Sequence, residues 1–279
     1  MITKIQAYAL RPAPALSLGG FMPSDDPVQI RNIDGLGPVK AEITTVPSGV
    51  SRGETFQGSS TGKRNIVLTL GLNPDWAVQT ISGLRQLLYA YFMPQQWCKL
   101  RIFSDELPTT DIEGYIESFE PNMFSQDPEV QISVINPRPD FIEIDTNIFT
   151  NTVDDGSNQM VVDYVGTVPT GFELRVDRTV ENPTYTGPIT IRVENPDGVK
   201  QLTVTPVTVN TLQSFKMVSV QGRKRVQYEA IADGAVTNLL KRMTGQWPEL
   251  VPGENLVSVA ANEDEQKWTL AFFTRFGGL

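Results

Sequence analysis

Apolar and polar residues alternate with a period of two along most of this chain, the pattern of strands that bury one face. In the first half, residues 2–10, Val28–Ile33, Pro38–Val46, Arg64–Gly71, Trp97–Phe103, Thr110–Phe119 and Glu129–Ile135 all read as strands. Within Thr110–Phe119, Ile112, Gly114, Ile116 and Ser118 face one way, and Glu113, Tyr115, Glu117 and Phe119 the other. One segment departs from this rule. From about 74 to 92 the apolar residues Trp76, Ile81, Leu84, Leu87, Leu88 and Tyr91 recur at three- and four-residue steps, which predicts an amphipathic helix. Asn73 is placed to cap its start, Pro74 suits the first helical position and Met93-Pro94 ends it. Gly83 weakens its middle by about 1 kcal/mol against alanine.

Two other stretches carry no periodicity. Residues 11–27 form a Pro/Gly-rich arm that must run extended or turn. Residues 48–63 form a polar, Gly-rich segment that reads as a long loop, ordered by a partner and without a core face of its own. Asn136-Pro-Arg-Pro139 breaks the last strand of this half, so the first domain is expected over 1–145 and a second over 146–279.

The second half is strand and turn throughout. Met160–Val165, Phe172–Val180, Pro188–Glu194, Val199–Thr205, Leu212–Val220, Arg225–Ile231, Thr237–Met243, Leu256–Ala261 and Lys267–Phe273 are the expected strands, spaced as in a β-sandwich. Asn195-Pro-Asp-Gly198 is strong turn chemistry between two of them, and Ala232-Asp-Gly234 is a second such turn. Residues 227–242 have the Ala, Leu and Lys content of a helix, but Asp233-Gly234 at their centre favours strand, turn and strand.

Composition narrows the chemistry. There is no histidine, which removes the commonest general base and the commonest metal ligand. The single Cys98 lies in an apolar run and reads as a buried structural thiol. Net charge is −9 and no basic run exceeds Arg223-Lys-Arg225, so specific nucleic-acid binding is not expected. No apolar stretch approaches a membrane span of roughly 20 residues, and the first ten residues are too polar for a signal peptide's apolar core. The acidic clusters Asp154-Asp155 and Glu263-Asp-Glu265 sit in turns; a solvated loop is the reading for both, with weak calcium contact the lesser alternative for the first. Glu113 and Glu117 share a strand face, as a carboxylate pair or as an exposed face. No catalytic residue, metal or cofactor is expected.

Several stretches together resemble a known family. They are Phe56-Gln-Gly58, the run from Gly62 to Leu70, the helix with Leu84-Arg85 and Phe92, the run from Ile112 to Glu117, and the run from Val130 to Val134. Pro137 to Phe141, Trp247 to Leu256 and the closing Phe276-Gly-Gly-Leu279 complete them. In order and wording they are similar to the distal tail proteins (Dit family) of long-tailed, siphovirus-type bacteriophages. The resemblance implies a mainly β fold: an N-terminal tail-tube-like belt domain, a sandwich or split barrel with one helix, and a C-terminal galectin-like β-sandwich. It implies a structural, non-enzymatic protein of the virion tail tip, made in the host cytoplasm and forming a homohexameric ring. Such a ring joins the tail tube to the tip hub and fibres and lets DNA pass. The polar segment at 47–62 is then the natural clasp, with Arg52, Glu54, Phe56 and Arg64 as expected interface residues.

A second class stays open beside it. Trp247 and Trp268 are the aromatic side chains that a carbohydrate-binding sandwich would use for host attachment, and core packing or turn anchoring is the alternative role for both.

Overall fold

The computed structural model describes residues 2–10, 14–19, 26–49, 52–122, 127–152, 159–178, 184–210, 213–230, 234–260 and 266–279. The arm at 11–27 is therefore described only in part, and Asp154, Asp155, Glu263, Asp264, Glu265 and the first two residues of the Ala232–Gly234 turn lie outside the described residues.

The chain divides into two compact units, Met1–Ile144 with Phe276–Leu279, and Asp145–Arg275. The closing residues thus belong to the first unit, where the sequence placed them in the second.

The first unit is built on one curled sheet. Its strands are β1 (Ile2–Ala9), β2 (Leu16–Leu18), β3 (Val28–Asp34), β6 (Arg64–Leu72), β7 (Trp97–Ser104), β8 (Thr110–Pro121), β9 (Glu129–Asn136) and β10 (Phe141–Glu143). They run in the order β2-β1-β7-β8-β9-β6-β3, with β10 on β8. A bridge between Gly19 and Gln29 links the two ends of that path, which curls the sheet toward a barrel and covers its edges. Alternation puts Ile66, Leu68 and Leu70 of β6, Cys98, Leu100 and Ile102 of β7, and Val130, Ile132 and Val134 of β9 inside. The helix α1 (Ile81–Phe92) packs Leu84, Leu88, Tyr91 and Phe92 into the same core.

Two local expectations are corrected here. The helix starts at Ile81 rather than near Pro74, with Thr80 as its cap, accepting from Gly83 N at 3.1 Å. Ahead of it, Asp75 folds the chain into a separate turn by accepting from Ala77 N at 3.0 Å, so Trp76 and Val78 stand exposed. In β8 a register shift against β9 between Ile116 and Ser118 reverses the alternation. Phe119 consequently packs on the core, its ring 4.8 Å from that of Tyr89.

Between β3 and β6 the chain leaves the barrel altogether. The strands β4 (Ala41–Pro47) and β5 (Glu54–Thr61) pair only with each other, as a two-stranded sheet of their own.

The second unit is a sandwich of two sheets. One has the order β11-β21-β13-β16-β17-β18, from β11 (Asn147–Thr152), β13 (Glu173–Arg178), β16 (Gln213–Val218), β17 (Arg225–Ala230), β18 (Val236–Asn238) and β21 (Gln266–Phe272). The other has the order β12-β20-β14-β15-β19, from β12 (Gln159–Tyr164), β14 (Thr184–Asn195), β15 (Gly198–Asn210), β19 (Met243–Gly245) and β20 (Gly253–Ala260). The short strand β22 (Arg275–Phe276) ends the series and belongs to the sheet of the first unit, where it pairs with β10. Residues from both sheets, among them Val162, Leu174, Ile191, Leu202, Phe215 and Trp268, close a single core.

The hairpin at Asn195–Gly198 forms where its turn residues place it. The β11 strand was missed because it falls at the expected boundary. The strand expected over Thr237–Met243 is split instead. Asn238 Oδ1 accepts from Leu240 N at 2.8 Å and turns the chain through a short 3-10 segment, Leu240–Arg242, while Leu239 drops into the core.

Candidate assembly surface

Almost every residue of the β4–β5 arm is exposed. The arm contributes nothing to either core, yet it carries Ile43, Val46 and Phe56, with exposures of 65%, 47% and 63%. Its register runs from Ala41 opposite Thr61 to Pro47 opposite Glu54, and shifts between Thr44 and Thr45. There Gly58 and Phe56 are paired and Gln57 is left over, a bulge that turns the end of the arm. Thr45 Oγ1 donates to the Glu54 carboxylate across the pair. The segment expected as a loop from Ser48 is therefore strand from Glu54 onward. Gly58-Ser59-Ser60 has poor strand propensity, and cross-strand pairing with β4 overrides it.

The root of this arm is fixed by Arg64, the first residue of β6. Its guanidinium donates to the backbone carbonyls of Gly35, Gly37, Pro139 and Gly277, each at 2.6 Å. The Phe141 ring lies against its flat face, 4.5 Å from the centroid to the guanidinium carbon. Gly35 and Gly37 lead into β4, Pro139 precedes β10, and Gly277 belongs to the closing residues. Burial pulls the Arg64 pKa below its usual value, opposed by the negative charge of Asp140.

The four expected interface residues consequently fall into two groups. Arg52, Glu54 and Phe56 are exposed on the arm and its turn. Arg64 is 2% exposed and faces inward, so it serves as the arm's anchor and not as part of its surface. A charged residue at a strand start normally reads as exposed; its planar fork suits it to gathering several carbonyls at once.

Several charged groups on the barrel are paired locally. Asp111 takes Arg101 Nε at 2.7 Å and Lys99 Nζ at 3.1 Å on the outer wall. Glu113 is exposed, and Glu117 lies 2.8 Å from Ser133 Oγ, so the two carboxylates are not drawn together by a shared partner. Among the described residues no group of three or more Asp, Glu and Cys side chains is gathered as a metal site would need. Nor, among them, is any helix long and apolar enough to cross a membrane. Cys98 is fully buried and its thiol is pushed up to about 12 by desolvation.

The two tryptophans expected as a sugar platform separate as well. Trp268 is 0% exposed in the sandwich core and cannot stack on a ligand, which corrects that assignment. Trp247 is half-buried, packed on the same core, with Lys224 Nζ 5.6 Å from its ring centroid. Near it, Asn255 ties down the turn that leads to β20. Its side chain accepts from Val251 N at 3.0 Å and donates to the carbonyls of Val251 and Gly253, each at 2.8 Å.

No family model matches the chain, and no curated protein matches it in sequence. Solved structures do. The Dit protein (gp19.1) of phage SPP1, a paradigm of the hub adsorption apparatus in phages infecting Gram-positive hosts, aligns at a TM-score of 0.62. That alignment has 14% identity and covers 89% of this chain and 93% of that one. A chain of the phage P2 baseplate in its activated conformation with Ca aligns at 0.44, with 8% identity over 97% of this chain and 98% of its own. A fructofuranosidase from Schwanniomyces occidentalis aligns at 0.26, with 7% identity over 84% of this chain and 59% of its own. With its curled sheet, helix and two-sheet sandwich, this chain has a fold similar to that of the SPP1 Dit protein.

Proposed function

We propose that this chain is a structural, non-enzymatic component of a phage tail tip. Further copies of it close into a homohexameric ring between the tail tube and the tip hub with its fibres, and the lumen of that ring passes DNA. The observation that carries this reading is the arm. A lone two-stranded hairpin is marginal in water, and large apolar side chains held out on one mark a surface meant for a partner. The SPP1 Dit fold supplies the context for that partner. The net charge of −9 suits a lumen along which phosphates slide without sticking.

Electron microscopy with light scattering on the purified protein tests the ring, alone and mixed with tube and hub proteins. Closed rings are expected. A protein that stays monomeric in every mixture would sink the reading. Replacing both Ile43 and Phe56 by serine should abolish rings while leaving the melting temperature within about 1–2 °C of the parent.

A further inference from the structure

A groove in the first unit offers what the arm lacks. It lies where α1 passes into β7, is lined by Leu10, Gln95, Gln96, Trp97 and Tyr115, and has a volume of about 450 Å³. No lining residue is charged. Leu10 is 78% exposed and Tyr115 is 52% exposed, so the described residues do not cover the groove. Its floor is preformed. Gln95 holds a left-handed φ of 70°, rare for a residue with a side chain, and is strapped to β8 by Gln95 N to Ile116 O at 2.8 Å and Ile116 N to Gln96 O at 2.9 Å.

We propose that this groove is the socket for Phe56 of the arm of a second copy of this chain. Three observations converge on that occupant. The first is chemistry: an uncharged, partly aromatic groove loses little on drying and fits the uncharged, exposed Phe56 and Ile43. The second is level: Trp97, Tyr115, Ile135 and Asn65 are successive register partners across β7, β8, β9 and β6, and Arg64 at the arm's root adjoins Asn65. Root and groove therefore sit at one height on the barrel wall, three strand spacings or roughly 14 Å apart. A donor and an acceptor displaced around a wall at the same height generate a head-to-tail contact that closes by rotation. The third is reach: Thr45, opposite Phe56, is four residues beyond Ala41, so Phe56 projects roughly 14 Å from the root. In the single chain both Phe56 and Tyr115 remain exposed, so the arm does not fold back into its own groove.

This inference rests on the ring reading, and the test separates the two. Cys98→Ser supplies a background without thiols, into which Gln57→Cys beside Phe56 and Gln96→Cys in the groove wall are placed in separate proteins, so that Phe56 and Tyr115 are both kept. Mixed under assembly conditions and oxidised, the two are expected to cross-link into heterodimers far above the yield of either alone. With both substitutions in one chain, a ladder of covalent oligomers is expected, ending at the ring number. Leu10→Cys carries the same test if Gln96→Cys fails to fold. Rings that form without the cross-link, or that assemble unchanged with Tyr115→Ser, overturn the socket and leave the ring standing. Double-cysteine chains that cross-link only within themselves overturn it too, by showing the groove filled by the chain's own arm. Absence of rings in the parent protein counts against the ring reading itself.

Discussion

The guanidinium Nη2 of Arg64 donates to the carbonyl of Gly277 at 2.6 Å, across 213 residues of sequence. This contact ties the end of the chain to the place where the arm leaves the barrel. The same side chain holds the carbonyls of Gly35 and Gly37 on the incoming strand. Removing it strands several buried acceptors together. Arg64→Ala is expected to destabilise the first unit by on the order of 3 kcal/mol or more. Arg64→Lys should recover little of this, because an ammonium cannot present the planar fork. Calorimetry would show the loss in the transition of the first unit while that of the second is unchanged. An unchanged first transition in Arg64→Ala would contradict the anchoring role.

Gly35, one of the carbonyls Arg64 holds, stands at a φ of 87°, and a Cβ built on it would lie 1.9 Å from the carbonyl oxygen of Asn65. Gly53 at the arm's turn has a φ of 110° with open space around it. Both positions resist a side chain through their backbone, but only Gly35 also meets a strand it cannot push aside. Gly53→Ala is expected to cost about 1 kcal/mol, and Gly35→Ala several times that. Equal shifts in denaturant midpoint for the two variants would show that the close approach is not rigid.

Much of the barrel was legible in sequence. β6, β7 and β9 alternate cleanly because one face of each is core and the other wet, and that is what a period of two records. Asn255 was legible for a related reason: beside Pro252-Gly253 an amide side chain bonds to its own backbone, and it does so here. What escaped the sequence depends on partners distant along the chain. Phe119 reads as facing out until the bulge against β9 reverses it. Residues 54–61 read as loop because strand character there comes from pairing with β4. Arg64 reads as surface because the four carbonyls that bury it arrive from three separate segments. Trp268 looks available for stacking in a strand of unknown facing, and only the second sheet makes it core.

Cys98 gives a pH dependence of known sign. Its thiol titrates near 9.0 when free of the fold and is pushed up to about 12 within it. Between those values the unfolded chain loses a proton that the folded chain keeps. The contribution is therefore fully present below pH 9 and is lost as pH rises toward 12, at about 1.4 kcal/mol per pH unit. Cys98→Ala removes this linkage. Its stability, measured by denaturant titration from pH 8 to 10.5, should fall less steeply than that of the parent. Parallel curves for the two proteins would mean that the thiol ionises in place.

Trp268 and Trp247 make a matched pair, since both were candidates for a surface platform and they differ in depth. Trp268 is fully enclosed between Val176 on its neighbouring strand β13 and the facing sheet of the sandwich. Truncating it leaves a cavity that close-packed strands cannot collapse, and Trp268→Ala is expected to cost about 3–5 kcal/mol. Trp247 is half-buried at the margin of that core, where flanking side chains and water can fill the space. Trp247→Ala should cost on the order of 1 kcal/mol and also release Lys224 from the ring. Calorimetry on the two variants orders them directly, and acrylamide quenching supports it. Deleting Trp247 should remove the more quenchable emission, and deleting Trp268 the shielded one. The reverse order in either measurement would return Trp268 to the surface and with it the sugar-platform reading.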